Sequence, residues 1–216
     1  MIICLAGHNI WMPNFDLEKL AWKDGFSSVA GVDEVGRGPW AGPVLACALI
    51  FNNSDDQHLV FSELDDSKKL SKTKREKLAQ QLPSFAKIGI GCASVEEIDA
   101  LNILKATIVA MGRAIANLPK RPDYILVDGN HLPKTNFEEQ SVIRGDSRSY
   151  SIAAASVIAK VKRDKLMAEL SLECPGYGWE TNAGYGTKIH QEALLRQGIT
   201  KHHRKSFSPI RNILIK

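Results

Sequence analysis

The stretch that most constrains this chain is Gly31-Val32-Asp33-Glu34-Val35-Gly36-Arg37-Gly38-Pro39-Trp40-Ala41-Gly42-Pro43-Val44. An apolar run over residues 29–32 ends in two adjacent carboxylates and passes at once into a turn dense in glycine and proline. Neighbours on a strand point to opposite faces, so Asp33 and Glu34 converge on one point only where the chain bends or a bound ion gathers them. Gly36 and Gly38, on either side of Arg37, let backbone N–H groups approach a ligand with no Cβ in the way. Pro39 and Pro43 stiffen the exit, and residues 44–51 read as a second apolar strand. A hairpin with a surface acid pair would account for the Asp-Glu dipeptide alone; the glycine density points to a site.

The opening design recurs at Tyr124-Ile125-Leu126-Val127-Asp128-Gly129-Asn130. A run this continuously apolar implies burial on both faces, as in the middle of an α/β sheet, which puts Asp128 at the end of a central strand. The dipeptide by itself reads more readily as a turn-forming Asp-Gly. A fourth acid, Asp146, precedes a helical pattern over residues 151–170 whose alanines let it lie close to a sheet. Residues 86–93 read as a third strand. Leu101, Leu104, Ile108, Met111, Ile115 and Leu118 recur at intervals of three and four, which predicts one amphipathic helix of about five turns whose stripe is core. Ser71 is placed to cap a helix over residues 72–82. Residues 16–23 predict one or two turns of helix packed on the sheet through Leu17, Leu20 and Ala21.

The net charge of +4 is unevenly spread. No acid follows Glu192, whereas Arg196, Lys201, Arg204, Lys205, Arg211 and Lys216 do, so the rest of the chain is net acidic. A solvated tail accounts for this, and so does a polyanionic partner. The four cysteines, Cys4, Cys47, Cys92 and Cys174, form no CxxC pair and have no histidine spacing of a zinc site, so they read as reduced thiols of a cytoplasmic protein. No run approaches the length of a membrane span, and the start lacks a basic leader; neither a membrane partner nor secretion is expected.

Asp33-Glu34-Val35-Gly36-Arg37-Gly38-Pro39-Trp40-Ala41-Gly42-Pro43-Val44 closely resembles the first motif of type 2 ribonuclease H, specifically of bacterial ribonuclease HII. One departure is Trp40, at a position where the family more often carries leucine. Further segments follow in the same order, over roughly residues 28–209. Asp65-Asp66-Ser67-Lys68-Lys69-Leu70-Ser71 resembles the second motif, whose lysine, here Lys68, faces nucleic-acid phosphate; alone, it would read as a charged helix-entry loop. Asp128 matches the third catalytic position. Gly145-Asp146 and the Ser-Ile-Ala-Ala-Ala-Ser-Val-Ile-Ala-Lys run after it resemble the fourth motif, with Asp164 read as pairing with a neighbouring base inside the helix. Tyr185 between two glycines resembles the substrate-recognition tyrosine, and His203-Arg204-Lys205-Ser206-Phe207 the C-terminal signature.

The resemblance implies an α/β fold, a ribonuclease H-like mixed five-stranded sheet flanked by helices, with a C-terminal helical extension. The expected division is an N-terminal segment (1–27), a catalytic domain (28–175) and a basic extension packed on it (176–216). Asp33, Glu34, Asp128 and Asp146 are the implied catalytic and metal-binding set. Four converging carboxylates repel one another, and oxygen donors select hard ions, Mg²⁺ or Mn²⁺, two of which serve in-line displacement at phosphorus. The implied activity is hydrolysis of the RNA strand of RNA/DNA hybrids and cleavage 5′ to ribonucleotides in duplex DNA, leaving a 3′-hydroxyl and a 5′-phosphate, by a monomer. Gly36, Arg37, Gly38 and Tyr185 would recognise the 2′-hydroxyl; Lys68, Thr187, Lys188, Arg204 and Lys205 would contact the backbone. A glycosidase also uses paired carboxylates but leaves the basic end unexplained, and a non-catalytic binding module has no use for buried acids. The remaining alternative is another metal-dependent nuclease of the same fold that acts on DNA.

Overall fold

A computed structural model describes residues 12–52 and 59–215. Five strands form one mixed sheet in the order β3-β2-β1-β4-β5. The central strand β1 (Val29–Val35) turns back antiparallel into β2 (Val44–Phe51), and β2 into β3 (Ala86–Ala93). On its other side lie β4 (Tyr124–Asp128) and β5 (Glu138–Val142), both parallel. Between β1 and β4 the chain passes through β2, β3 and the helices that follow them, whereas β4 reaches its parallel neighbour β5 through residues 129–137, which hold no helix.

Two helices sandwich the sheet. α5 (Ile103–Ala116) packs with Ala30, Val32, Ala46 and Ala48, while the long α6 (Tyr150–Glu173) packs through Ala153, Ala154, Ala155 and Val157 with Cys47 and Leu49 on the other face. Strand alternation therefore sets Gly31 and Asp33 toward α6 and Val32 and Glu34 toward α5. α6 crosses β1 so closely that a Cβ on Gly31 would run into the backbone of Ser151. The remaining helices among the described residues are α1 (Asp16–Lys23), α2 (Leu59–Ser62), α3 (Lys72–Gln81), α4 (Val95–Leu101), α7 (Trp179–Asn182), α8 (Lys188–Gln197) and α9 (Ser208–Leu214). As the sequence predicts, Ser71 caps α3, accepting from the N–H of Lys74.

The predicted five-turn helix is two. Asn102, at φ 72°, ends α4, and its side chain accepts from the N–H groups of Leu104 and Lys105 to start α5. The buried face is also different: Ala106, Ala110 and Ala114 face inward with Met111 and Ile115, while Leu104 and Ile108 are half-buried and Leu101 is 38% exposed. Small residues are required there because α5 rides so close to β3 that a Cβ on Gly91 would collide with the Ala110 carbonyl.

α1 forms where expected, but Leu20 is 54% exposed and Glu18 is buried in its stead. Glu18 accepts from the hydroxyls of Ser149 and Ser151 (both 2.6 Å) and from the Ser151 N–H (3.0 Å), so the carboxylate docks α1 on the N-terminus of α6, where negative charge is favoured. Burial still pushes its pKa up. Residues 176–215 share a core with the body: Tyr177, Trp179, Ala183, Leu194 and Ile210 pack with Ala41 and with Met167 of α6. Cys47, Cys92 and Cys174 are free thiols; Cys4 lies outside the described residues. No described helix is long and apolar enough to cross a membrane.

Candidate active site

Parallel pairing of β1 and β4 matches Val32 with Val127, so the next residue on each strand, Asp33 and Asp128, emerges side by side. Asp146 reaches them from a single 3-10 turn, Gly145–Ser147, set after β5 by Arg144 in the left-handed region (φ 55°). Carboxylate oxygens of Asp33, Asp128 and Asp146 lie within 4.8 Å of one another. The N–H of Gly145 donates to Asp128 at 2.6 Å and holds that side chain in place.

The cluster is electrostatically overloaded. Burial, and then the charges of Glu34, Asp128 and Asp146, hold the Asp33 carboxyl well above the usual carboxylate range. Burial raises Asp128 as well, against the hydrogen bonds of Gly145 and Asp146. Asp146 is pushed up to about 6 by burial and by Asp128, with Lys68 opposing. Lys68, 79% exposed at its side chain, places its ammonium 3.8 Å from both Asp146 and Asp66.

Glu34 stays outside the trio. It lies on the α5 face of β1, accepts from Arg37 at 3.2 Å, and lines a cleft of about 80 Å³ with Arg37, Leu104, Thr107, Ile108 and Asp128. Leu104 and Ile108, read from the sequence as core, border this cleft.

The turn after β1 is clamped from behind by two buried arginines. Arg204, expected to contact phosphate, is fully buried and donates to the carbonyls of Gly36 (2.6 Å), Arg37 (2.9 Å) and Gly42 (2.9 Å). Arg163 of α6 donates to Pro43 (3.0 Å), Ala41 (3.2 Å) and Ala183 (2.9 Å). Among the described residues neither forms an ion pair, and burial lowers them to about 10 for Arg163 and about 9 for Arg204, both still charged at neutral pH. The C=O and N–H of a trans peptide point opposite ways. Drawing in the carbonyls of Gly36 and Arg37 therefore turns the N–H groups of Arg37 and Gly38 outward. Gly36 has φ +94°, and a Cβ there would strike the Arg163 side chain.

Tyr185 is brought to this turn: its ring would stand 3.3 Å from a Cβ on Gly38. Trp40 fills the space over Gly186, so the larger ring is accommodated by a glycine, and the backbone N–H of Trp40 donates to the Gly184 carbonyl (2.8 Å). Lys188 and Lys205 are exposed, whereas the Thr187 hydroxyl accepts from Asn182. Asp164 pairs with Lys160 (2.6 Å), as expected. Sequence reasoning missed Arg163, which nothing in the run Lys160-Val161-Lys162-Arg163 distinguishes from its neighbours. It also missed a grouping of Glu173, Cys174 and His202, in which Glu173 is already paired with Lys201 at 2.6 Å.

Residues 30–210 match the family model described as Ribonuclease HII. This chain belongs to the ribonuclease HII family. The Ribonuclease HII of Cereibacter sphaeroides (strain ATCC 17029 / ATH 2.4.9) is 51% identical over 207 residues, 95% of each chain. That of Paracoccus denitrificans (strain Pd 1222) is 51% identical over 205 residues, 94% of this chain and 96% of its own. Among solved structures, the ribonuclease H2 from Pyrococcus horikoshii OT3 superposes with a TM-score of 0.71 at 25% identity, covering 87% of this chain and 97% of its own. A Bst ribonuclease HIII in complex with Mn²⁺ has a TM-score of 0.70 at 19% identity, over 87% of this chain and 69% of its own, and shares the fold. By family, then, the chain is a ribonuclease H, a hydrolase of phosphodiester bonds, and the expected five-stranded α/β architecture is the one observed.

Proposed function

We propose that this ribonuclease HII family member hydrolyses the RNA strand of RNA/DNA hybrids and cuts 5′ to ribonucleotides embedded in duplex DNA, leaving a 3′-hydroxyl and a 5′-phosphate. Such an activity serves RNA primer removal and ribonucleotide excision repair. The observation that carries the reading is the gathering of Asp33, Asp128 and Asp146 within 4.8 Å beside the clamped turn.

Three oxygen donors whose pKa values are raised by burial and, for Asp33 and Asp146, by the neighbouring carboxylates fit divalent cations, and the absence of sulfur or nitrogen donors in the trio favours Mg²⁺ or Mn²⁺. Asp33, Asp128 and Asp146 would hold them, with Glu34 joining from the opposite face of β1. Two such ions, when bound, supply Lewis-acid activation of water and charge stabilisation at phosphorus. The chain's own residues do the rest. Lys68 offers its ammonium to a phosphate beside Asp146, and the outward N–H groups of Arg37 and Gly38, with the Tyr185 hydroxyl, meet the 2′-hydroxyl, the atom that separates the two sugars. Exposed Lys188 and Lys205, with Thr187, lie where the flanking backbone would pass. We place the enzyme in the cytoplasm, as a monomer with a catalytic unit over 28–175 and an extension over 176–216.

The test is cleavage of one labelled DNA duplex carrying a single ribonucleotide, with and without Mg²⁺ or Mn²⁺, by the wild type and by Asp33→Asn and Asp128→Asn. Metal-dependent cutting 5′ to the ribonucleotide, lost in both variants, is the expected result. Equal cutting of the all-DNA duplex would overturn the substrate assignment, and wild-type turnover in either variant would remove that residue from the centre.

A further inference from the structure

Behind Tyr185 an unbroken line of hydrogen bonds runs through two fully buried imidazoles. The N–H of Thr200 donates to Nδ1 of His203 at 2.8 Å. A ring nitrogen that accepts carries no proton, so neutral His203 holds its proton on Nε2. That nitrogen stands 3.0 Å from Nε2 of His190 and donates to it. His190 Nε2 also faces the indole N–H of Trp179 at 3.3 Å, a second donor. The proton of His190 must therefore sit on Nδ1, which donates to the carbonyl of Tyr185 at 3.0 Å. Two obligate donors, the Thr200 amide and the Trp179 indole, set the tautomers of His203 and His190. Both rings stay neutral around pH 7, since burial lowers His190 and holds His203 near about 4.

The loop at the end of this line needs holding. Ala183 (φ 49°) and Gly184 (φ +83°) are successive left-handed residues, a costly conformation for alanine. Tyr185 is 47% exposed, so its position comes largely from its main chain. We propose that His190 is a positioning residue for ribonucleotide recognition: the neutral His203–His190 pair fixes the Tyr185 backbone and thereby aims its hydroxyl at the turn around Gly38. The inference rests on Tyr185 being the 2′-hydroxyl contact.

Two measurements on the full chain test it. Long-range ¹H–¹⁵N spectra should show His190 protonated on Nδ1 and His203 on Nε2, both neutral at pH 7; the opposite tautomers would overturn the relay. Kinetics separate positioning from mere folding through two neutral replacements that each keep a polar group in the cavity. His190→Asn puts an amide where Nδ1 stands, whereas His190→Gln puts it where Nε2 stands and offers Tyr185 nothing. With thermal midpoints checked, His190→Gln should lower kcat on a duplex with one ribonucleotide by about ten- to a hundredfold at nearly unchanged KM, and His190→Asn should restore most of it. Tyr185→Phe is measured alongside. If it keeps full selectivity, the recognition reading falls and the relay with it; if it loses selectivity while the Asn and Gln variants behave alike, the relay alone falls.

Discussion

Replacing Asp146 with asparagine should make the metal-free protein more stable while destroying its activity. The Asp146 carboxyl is raised from 3.8 to about 6 by burial and by Asp128. Two units correspond to about 3 kcal/mol of native-state penalty when the group is ionised. Solvent at the mouth of the site and the facing ammonium of Lys68 screen it, so about 1–2 kcal/mol is the working figure. For a chain of this size that raises the midpoint by about 3–6 °C. The sign follows from linkage: the native state binds the extra proton, so the penalty is absent below pH 4, grows as pH rises through 6, and is constant above. The variant's advantage should therefore be full at pH 8 and vanish near pH 4. Thermal unfolding of chelator-treated wild type and Asp146→Asn between pH 4 and 8 measures it, and Mn²⁺ should stabilise the wild type more than the variant. A variant that melts at or below wild type at pH 8, or gains on acidification, refutes the reasoning.

Gly36→Ala forces a left-handed Cβ onto the Arg163 side chain; about 1–2 kcal/mol of backbone strain plus the displaced clamp should lower both the midpoint and single-ribonucleotide cleavage, by calorimetry and gel assay. Lys68→Ala removes an exposed cation that faces Asp146, so stability should fall only slightly while cleavage falls and the salt slope of duplex binding drops by about one; an unchanged slope argues against a phosphate contact. Arg204→Lys cannot bridge three carbonyls with one ammonium, so it should destabilise by about 2 kcal/mol or more and leave the salt slope alone.

Asp33 and Asp128 stand out in the sequence because burial on both faces of a strand leaves an uninterrupted apolar run before each, but it is the family resemblance that assigns them, with Glu34 and Asp146, to one site. The ends of the runs also gave the strands their approximate limits. β5 was not legible as a strand: Glu-Glu-Gln-Ser-Val is the composition of a polar edge, and no periodicity marks it. The break at Asn102 was hidden because the apolar spacing continues across it, and only a left-handed cap separates the two helices. Arg204 and Arg163 mislead for a common reason. Charge type predicts exposure, yet a guanidinium's five donors can be satisfied by backbone carbonyls that a folded turn collects from distant parts of the chain. Glu18 and Leu20 exchange their expected places because the serines that welcome the carboxylate lie more than a hundred residues away.

Helix α6 passes every functional level of the molecule in turn. Its first residues receive Glu18, Ser156 stands beside Asp33, and Arg163 grips the turn. From Ser156 to Arg163 is two helical turns, about 10 Å, so the spacing between the centre that would cut and the loop that would read is gauged along one rigid rod. On the proposed function, the offset between cleaved bond and recognised sugar is then a length built into the scaffold, insensitive to loop motion. A single residue inserted between those positions would swing Arg163 about 100° around the helix axis and leave a protein with both parts and no registration between them.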